Sequence, residues 1–166
     1  MDIEVRVEPA TTALPSVDYR WDADTDILTA TLHSGVVGEG MSGSVEIEGK
    51  DGSWLILEAS SGRIVGVEVA VWPAVRKVGS LDPPAEPAPS LVVLPARRSQ
   101  PGVAVLEVDT VLAATADKDE STIHFRIGPS RPTRPVSVAR DIILDIDERE
   151  RIAGVWLLNV PPFPAT

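Results

Sequence analysis

Strict alternation of apolar and polar residues is the feature that most restricts how this chain can fold. Ile3-Glu4-Val5-Arg6-Val7 and Val45-Glu46-Ile47-Glu48 switch character at every step, and Ile64 to Val71 is rich in β-branched side chains. A period of two sends successive side chains to opposite faces of a strand, one face for a core and one for water. Turn residues separate the runs, Gly49-Lys50-Asp51-Gly52 and then Ser60-Ser61-Gly62. Residues 44–49, 53–59 and 63–71 are therefore predicted to form three antiparallel strands of a meander. Helical periodicity of useful length is missing. Only 108–116, Val-Asp-Thr-Val-Leu-Ala-Ala-Thr-Ala, reads equally as a strand or as one or two helical turns behind Asp109.

The chain also matches itself. At a shift of 88 residues, Trp54-Leu55-Ile56 falls on Ile142-Ile143-Leu144, and Arg63-Ile64-Val65-Gly66-Val67 falls on Arg151-Ile152-Ala153-Gly154-Val155. At a shift of 95, Asp26 to Leu32 falls on Ser121 to Ile127, and Ile3 to Val7 looks like Val103 to Glu107. Blocks that recur in the same order indicate a duplicated β unit. Gly66 and Gly154 are equivalent positions inside strands, where glycine marks a bulge or a close approach.

Between the copies the composition changes. Pro73, Pro83, Pro84, Pro87, Pro89, Pro95 and Pro101 cluster with Ala and Ser. Proline lacks a backbone donor and stiffens the chain, so 79–99 is expected to be a linker, with Ser90 to Leu94 as a possible edge strand inside it. A polyproline ligand would have the same composition; a spacer is the simpler reading. The expected architecture is all-β. Two related antiparallel meanders, 1–78 and 100–166, pack as a pseudo-twofold sandwich or open barrel that shares one core, with at most short helical turns. A chain of 166 residues can bury about 70% of its unfolded surface, so such a core needs no staples.

Tyr19-Arg-Trp-Asp22-Ala-Asp24-Thr-Asp26-Ile-Leu28-Thr-Ala-Thr-Leu32, followed by Gly62-Arg-Ile-Val-Gly66-Val-Glu68-Val, resembles a small bacterial β-meander domain of unknown function. The resemblance covers about 17–71. In the second copy it extends to Ile152 to Leu157 and the hairpin before them, with Trp156 where the first copy has Glu68. It implies a compact β-meander and, because some members are encoded beside small toxin-like proteins, partner binding at most.

Composition removes whole classes of chemistry. The chain has no cysteine, which excludes disulfides, thiolate metal sites and a cysteine nucleophile. Residues 1–75 carry 13 acids and 4 bases, and residues 76–166 carry 12 acids and 11 bases. The first half would repel a polyanion, so nucleic acid is not an expected partner, whereas a protein partner or a second copy is. No signal peptide or apolar span is visible, which makes the expected location cytoplasmic and excludes a membrane partner.

Motifs that invite a ligand fail on context. Asp22, Asp24 and Asp26 match positions 1, 3 and 5 of a calcium loop, but Ile27 stands where glycine is needed and His33 where a bidentate glutamate is. They read as an acidic turn capped by its own side chains. Gly38-Glu39-Gly40-Met41-Ser42-Gly43 has the letters of a dinucleotide fingerprint, yet a strand pattern rather than a helix follows it. His33 and His124 are the two histidines and do not align between the copies. No cofactor or catalytic residue is assigned.

Four tryptophans dominate the aromatics. Trp54 and Trp156 lie inside predicted strands and are expected in the core. Trp21 and Trp72 lie at strand margins and are the candidate interface residues. The expected function is a non-catalytic protein-interaction or binding module. Two alternatives are a small-molecule-binding or hydrolytic barrel with a cleft between the repeats, using a carboxylate with His33 or His124, and an acidic, antitoxin-like neutraliser of a basic partner.

Overall fold

A computed structural model describes residues 3–33, 42–95 and 103–164. The strands in chain order are β1 (Arg6–Pro9), β2 (Ser16–Asp22), β3 (Ile27–His33), β4 (Ser42–Gly49), β5 (Trp54–Ser60), β6 (Arg63–Val71) and β7 (Val75–Lys77). They continue as β8 (Ala88–Val93), β9 (Val103–Thr110), β10 (Leu112–Ala116), β11 (Ile123–Ile127), β12 (Thr133–Ala139), β13 (Ile142–Asp147) and β14 (Ile152–Leu157). Among the described residues there is no helix, and the chain is all-β. The three predicted meander strands correspond to β4, β5 and β6. Gly52 and Gly62 adopt the positive φ of 88° and 80° that the turns between them require. Segment 108–116 is not helical. It is the end of β9 and all of β10, joined by the exposed Val111, whose carbonyl accepts the Gly128 N–H at 2.8 Å.

Two antiparallel units share one strand order. The first runs β2-β3-β6-β5-β4 and the second β10-β11-β14-β13-β12. Alternation sorts their faces: β3 buries Leu28, Ala30 and Leu32 while Thr31 and His33 are exposed. The buried faces of both units meet in one cluster, with Leu55, Leu57 and Val67 from the first and Phe125, Ile142, Leu144 and Val155 from the second. Neither five-stranded sheet could cover that surface alone.

Flanking strands are exchanged between the units. β9, just ahead of the second unit, lies parallel to β4 of the first over Ser42–Gly49 and Val103–Thr110. β7, just after the first unit, pairs in parallel with β10 of the second. The prolines of 79–99 do not make a plain spacer, because β8 lies there, antiparallel to β1 and parallel to β12. These additions join the two units into one mixed, strongly curled sheet that forms a half-barrel. They also cover edges whose free N–H and C=O groups would otherwise invite aggregation.

The β13–β14 turn is organised by Asp147, a buried carboxylate that is 3% exposed. It accepts hydrogen bonds from Arg131 Nε at 2.8 Å, Arg151 Nε at 2.9 Å, and the backbone N–H groups of Arg149 and Arg151 at 2.9 and 3.0 Å. Burial pushes its pKa up, but the bonds from Arg131, the Arg151 and Arg149 amides and the Arg151 guanidinium outweigh burial and hold it below the usual range. A depressed carboxyl stabilises the fold above its unfolded value of about 4, and that stability disappears as pH falls through the folded value. Asp147→Asn leaves two guanidinium groups without their anion, and we expect a loss of about 3 kcal/mol at pH 7 in urea unfolding. The gap between wild type and variant should narrow as pH drops below about 4. A gap independent of pH would show that the carboxylate's charge is not what holds the turn.

Candidate functional site

At the closed end of the β2–β3 hairpin the chain builds an aromatic cleft of about 220 Å³. Trp21 is the last residue but one of β2, and its indole N–H donates to the Pro161 carbonyl at 2.9 Å. Trp72 follows β6, and its indole N–H donates to the Asp26 carbonyl at 2.7 Å. With both N–H groups bound to backbone, the rings stack at 5.7 Å between centroids and 19° between planes. Phe163 meets Trp21 edge-on at 5.1 Å, and Trp72 leans on the buried Phe125 at 5.8 Å. The rim carries Asp26, whose carboxylate has no partner among the described residues, and Glu120, held by Lys77 at 2.6 Å. Below Trp21 on the same strand, the Tyr19 hydroxyl donates to the Leu158 carbonyl at 2.7 Å. Burial, helped by the nearby Asp141 charge, pushes its ionisation far above the usual tyrosine value. The C-terminal segment 158–163 is thereby tied along β2.

The structure thus brings Trp21 and Trp72 together. Phe163 and Glu120 were not singled out from the sequence; an aromatic between prolines in a terminal segment was the only signal for Phe163. Trp54 and Trp156 do not enter the core. Leu55 and Leu57 take the inner face of β5, so parity turns Trp54 outward, where it is 39% exposed. Trp156 lies half-buried over His124, with ring centroids 4.4 Å apart.

Asp22, Asp24 and Asp26 form a turn. Asp22 Oδ1 accepts the Asp24 N–H at 3.0 Å, its carbonyl accepts the Asp26 N–H at 2.9 Å, and Asp26 takes a φ of 61°. Among the described residues no group of three or more His, Asp or Glu side chains could hold a metal ion. Residues 38–41 of the glycine-rich motif lie outside the described residues, and Ser42 and Gly43 already belong to β4. His33 is exposed at the end of β3 and pairs with Asp18. His124 Nε2 lies 2.7 Å from Asp145 Oδ2, while Trp156 Nε1 donates to Asp145 Oδ1 at 3.2 Å. Neither histidine lines the aromatic cleft.

The outer faces of the two units carry different side chains on the same grid. In the first, Glu46, Ile56, Glu68, Thr29 and Arg20 form one cross-strand row, and Glu58 opposite Gly66 begins the next. Partial burial, then the charges of Glu68 and Glu46, push the Glu58 carboxyl up. In the second, Ile143, Trp156 and His124 form the corresponding row, and Asp145 opposite Gly154 the next. No protein-family model and no curated protein matches the chain. Among the described residues no helix is long and apolar enough to cross a membrane.

The glycines at the matched positions differ in the room they leave. A Cβ on Gly154 would stand 2.5 Å from Asp145 Oδ2, 2.9 Å from the Phe125 carbonyl oxygen and 3.0 Å from His124 Nε2. A Cβ on Gly66 meets nothing closer than the Ala30 carbonyl oxygen at 3.4 Å. We therefore expect Gly154→Ala to cost about 2–3 kcal/mol by overpacking and to displace the His124–Asp145 pair. Gly66→Ala should stay within about 1 kcal/mol of wild type. Equal costs in denaturant unfolding would contradict this account.

Proposed function

We propose that the protein is a non-catalytic binding module that engages a protein partner through the Trp21–Trp72–Phe163 cleft. The observation that carries this reading is the half-buried, stacked indole pair at a cleft whose rim carries the Asp26 and Glu120 side chains. Large aromatics in a cleft anchor interfaces, because they bury much area for few rotatable bonds. The acidic rim, together with the crowded Glu46, Glu58 and Glu68 on the first unit's outer face, favours a basic partner, since an added cation would relieve their mutual repulsion. That is the chemistry of an acidic neutraliser, which the resemblance of residues 17–71 to the small bacterial β-meander domain also supports. We further propose that the two units descend from one duplicated ancestor. Their equal strand order and the 88-residue offset of their matching blocks support it.

Affinity capture from the native host, with wild type and variants as bait, tests the binding reading. Phe163→Ala removes an exposed ring and Asp26→Asn removes a rim charge, so neither should disturb folding. Each should weaken capture of a basic partner by about tenfold, a typical loss for an interface anchor. Retention of every bound protein by both variants would remove the cleft from the argument. If the only species retained is the chain itself, with a dimer in sedimentation, the partner is a second copy.

A further inference from the structure

The opposite, open end of the β2–β3 hairpin holds a second cavity, of about 250 Å³. Arg63, the first residue of β6, lines it together with the segment Ala10–Pro15, His33, Ser90 and Val138. The Arg63 Nε and Nη1 atoms are buried and have no hydrogen-bond partner. Buried guanidinium N–H groups are nearly always paired, because leaving them unpaired forfeits hydration with nothing in return. Arg63 therefore stands as half of an interaction.

The second unit shows the other half. Arg151 lies 88 residues on and opens β14 as Arg63 opens β6. The surrounding backbone repeats: the Leu94 N–H donates to the Gly62 carbonyl at 2.8 Å, and the Val5 N–H donates to the Glu150 carbonyl at 3.0 Å. Arg63 pairs with Val93 across the strands, and Arg151 with Glu4. The difference lies in the turn. Arg151 donates to the buried carboxylate of Asp147, the residue that pairs with it at the end of the hairpin. In the first unit the residue paired with Arg63 is Ser60, and the turn Ser60-Ser61-Gly62 carries no acid. No carboxylate lines the cavity among the described residues.

We propose that this cavity binds a small organic carboxylate, whose anionic group pairs with Arg63 as Asp147 pairs with Arg151. Arg63 supplies charge-assisted N–H donors for a carboxylate. Leu14, Ile64, Leu91 and Val138 supply an apolar wall for the ligand's body, and Ser90 and Thr12 supply hydroxyls near it. The space is smaller than the ~300 Å³ at which drug-sized pockets begin, so the ligand is compact. It is a different site from the aromatic cleft and does not depend on it.

Titration of isotope-labelled protein with butyrate, isovalerate and benzoate, followed by NMR, tests the assignment, with butyramide and inorganic phosphate as comparison probes. At least one carboxylate should give saturable shifts confined to residues 10–15, 33, 63–64, 90–92 and 138. Butyramide and the Arg63→Met variant should bind at least about tenfold more weakly, as expected when a buried charged hydrogen bond is lost. Ser60→Asp places an acid at the position that Asp147 holds in the second unit and should likewise weaken binding about fivefold by internal competition. It also keeps the test decisive if Arg63→Met does not fold. Phe163→Ala should leave carboxylate binding unchanged, which separates this site from the cleft. Absence of saturable shifts with every carboxylate, binding of phosphate alone, or affinity unchanged in both Arg63→Met and Ser60→Asp would each overturn the proposal.

Discussion

Mutual burial of two apolar sheet faces is the constraint on which this fold rests. A five-stranded antiparallel sheet with one greasy side is not a finished structure in water, and each unit here finishes the other. Leu55, Leu57 and Val67 pack into the same cluster as Phe125, Leu144 and Val155. Removing a large core side chain from either unit typically costs about 3–5 kcal/mol through lost transfer energy and the cavity left behind. Since the cluster is shared, such a loss is felt in both units. The exchanged strands strengthen the coupling. β9 belongs in sequence to the second unit but is hydrogen-bonded along its length to β4 of the first, so separating the units would open a whole ladder as well as the core.

Much of this architecture was legible in the sequence because period-two patterning reports directly on which face is buried. The 88-residue offset likewise pointed to two units, and the strands carrying the matching blocks, β5 with β13 and β6 with β14, occupy matching places in the two strand orders. What patterning could not resolve were segments with no contrast. Trp54-Leu55-Ile56-Leu57 is apolar at every step, so the side on which Trp54 falls is decided only by the register with β4 and β6. The alanines of β10 look helical in isolation. They are small because Ala114 lies directly opposite Phe125, whose ring fills the space beside it. β8 was partly legible as the possible edge strand Ser90 to Leu94; prolines hid its start, and their missing donors are tolerated because Pro89 pairs at the end of the β8–β12 ladder, which is two residues long.

The aromatic cleft was half legible for a related reason. Trp21 and Trp72 stood at strand margins, where a large side chain has no assigned face, and that made them candidates. Their stacking is a property of topology. β3 pairs with both β2 and β6, so the ring near the end of β2 and the ring that follows β6 flank the same strand and meet at one end of it. Phe163 reaches them only because the Tyr19 hydroxyl and the Trp21 indole hold the terminal segment through its backbone carbonyls. No local sequence pattern encodes an interaction across 139 or 140 residues.

The two units share one grid and differ in how far their polar groups are satisfied from within. In the second, Arg151 and Arg131 share the carboxylate of Asp147, and His124 and Trp156 both bond Asp145, which leaves Gly154 no room for a side chain. Those groups form closed networks, and closed networks rigidify. In the first, Asp26 has no partner among the described residues, Glu58 is crowded by Glu46 and Glu68, and two Arg63 nitrogens are buried with no acceptor. The buried Arg63 nitrogens and the crowded Glu58 cost stability in the isolated chain, and a ligand of opposite charge would offset both. The second unit, with its polar groups already paired, is suited to be the scaffold. The first, whose unsatisfied groups lie at the two ends of the β2–β3 hairpin and on the outer face of β5, is where binding would be concentrated.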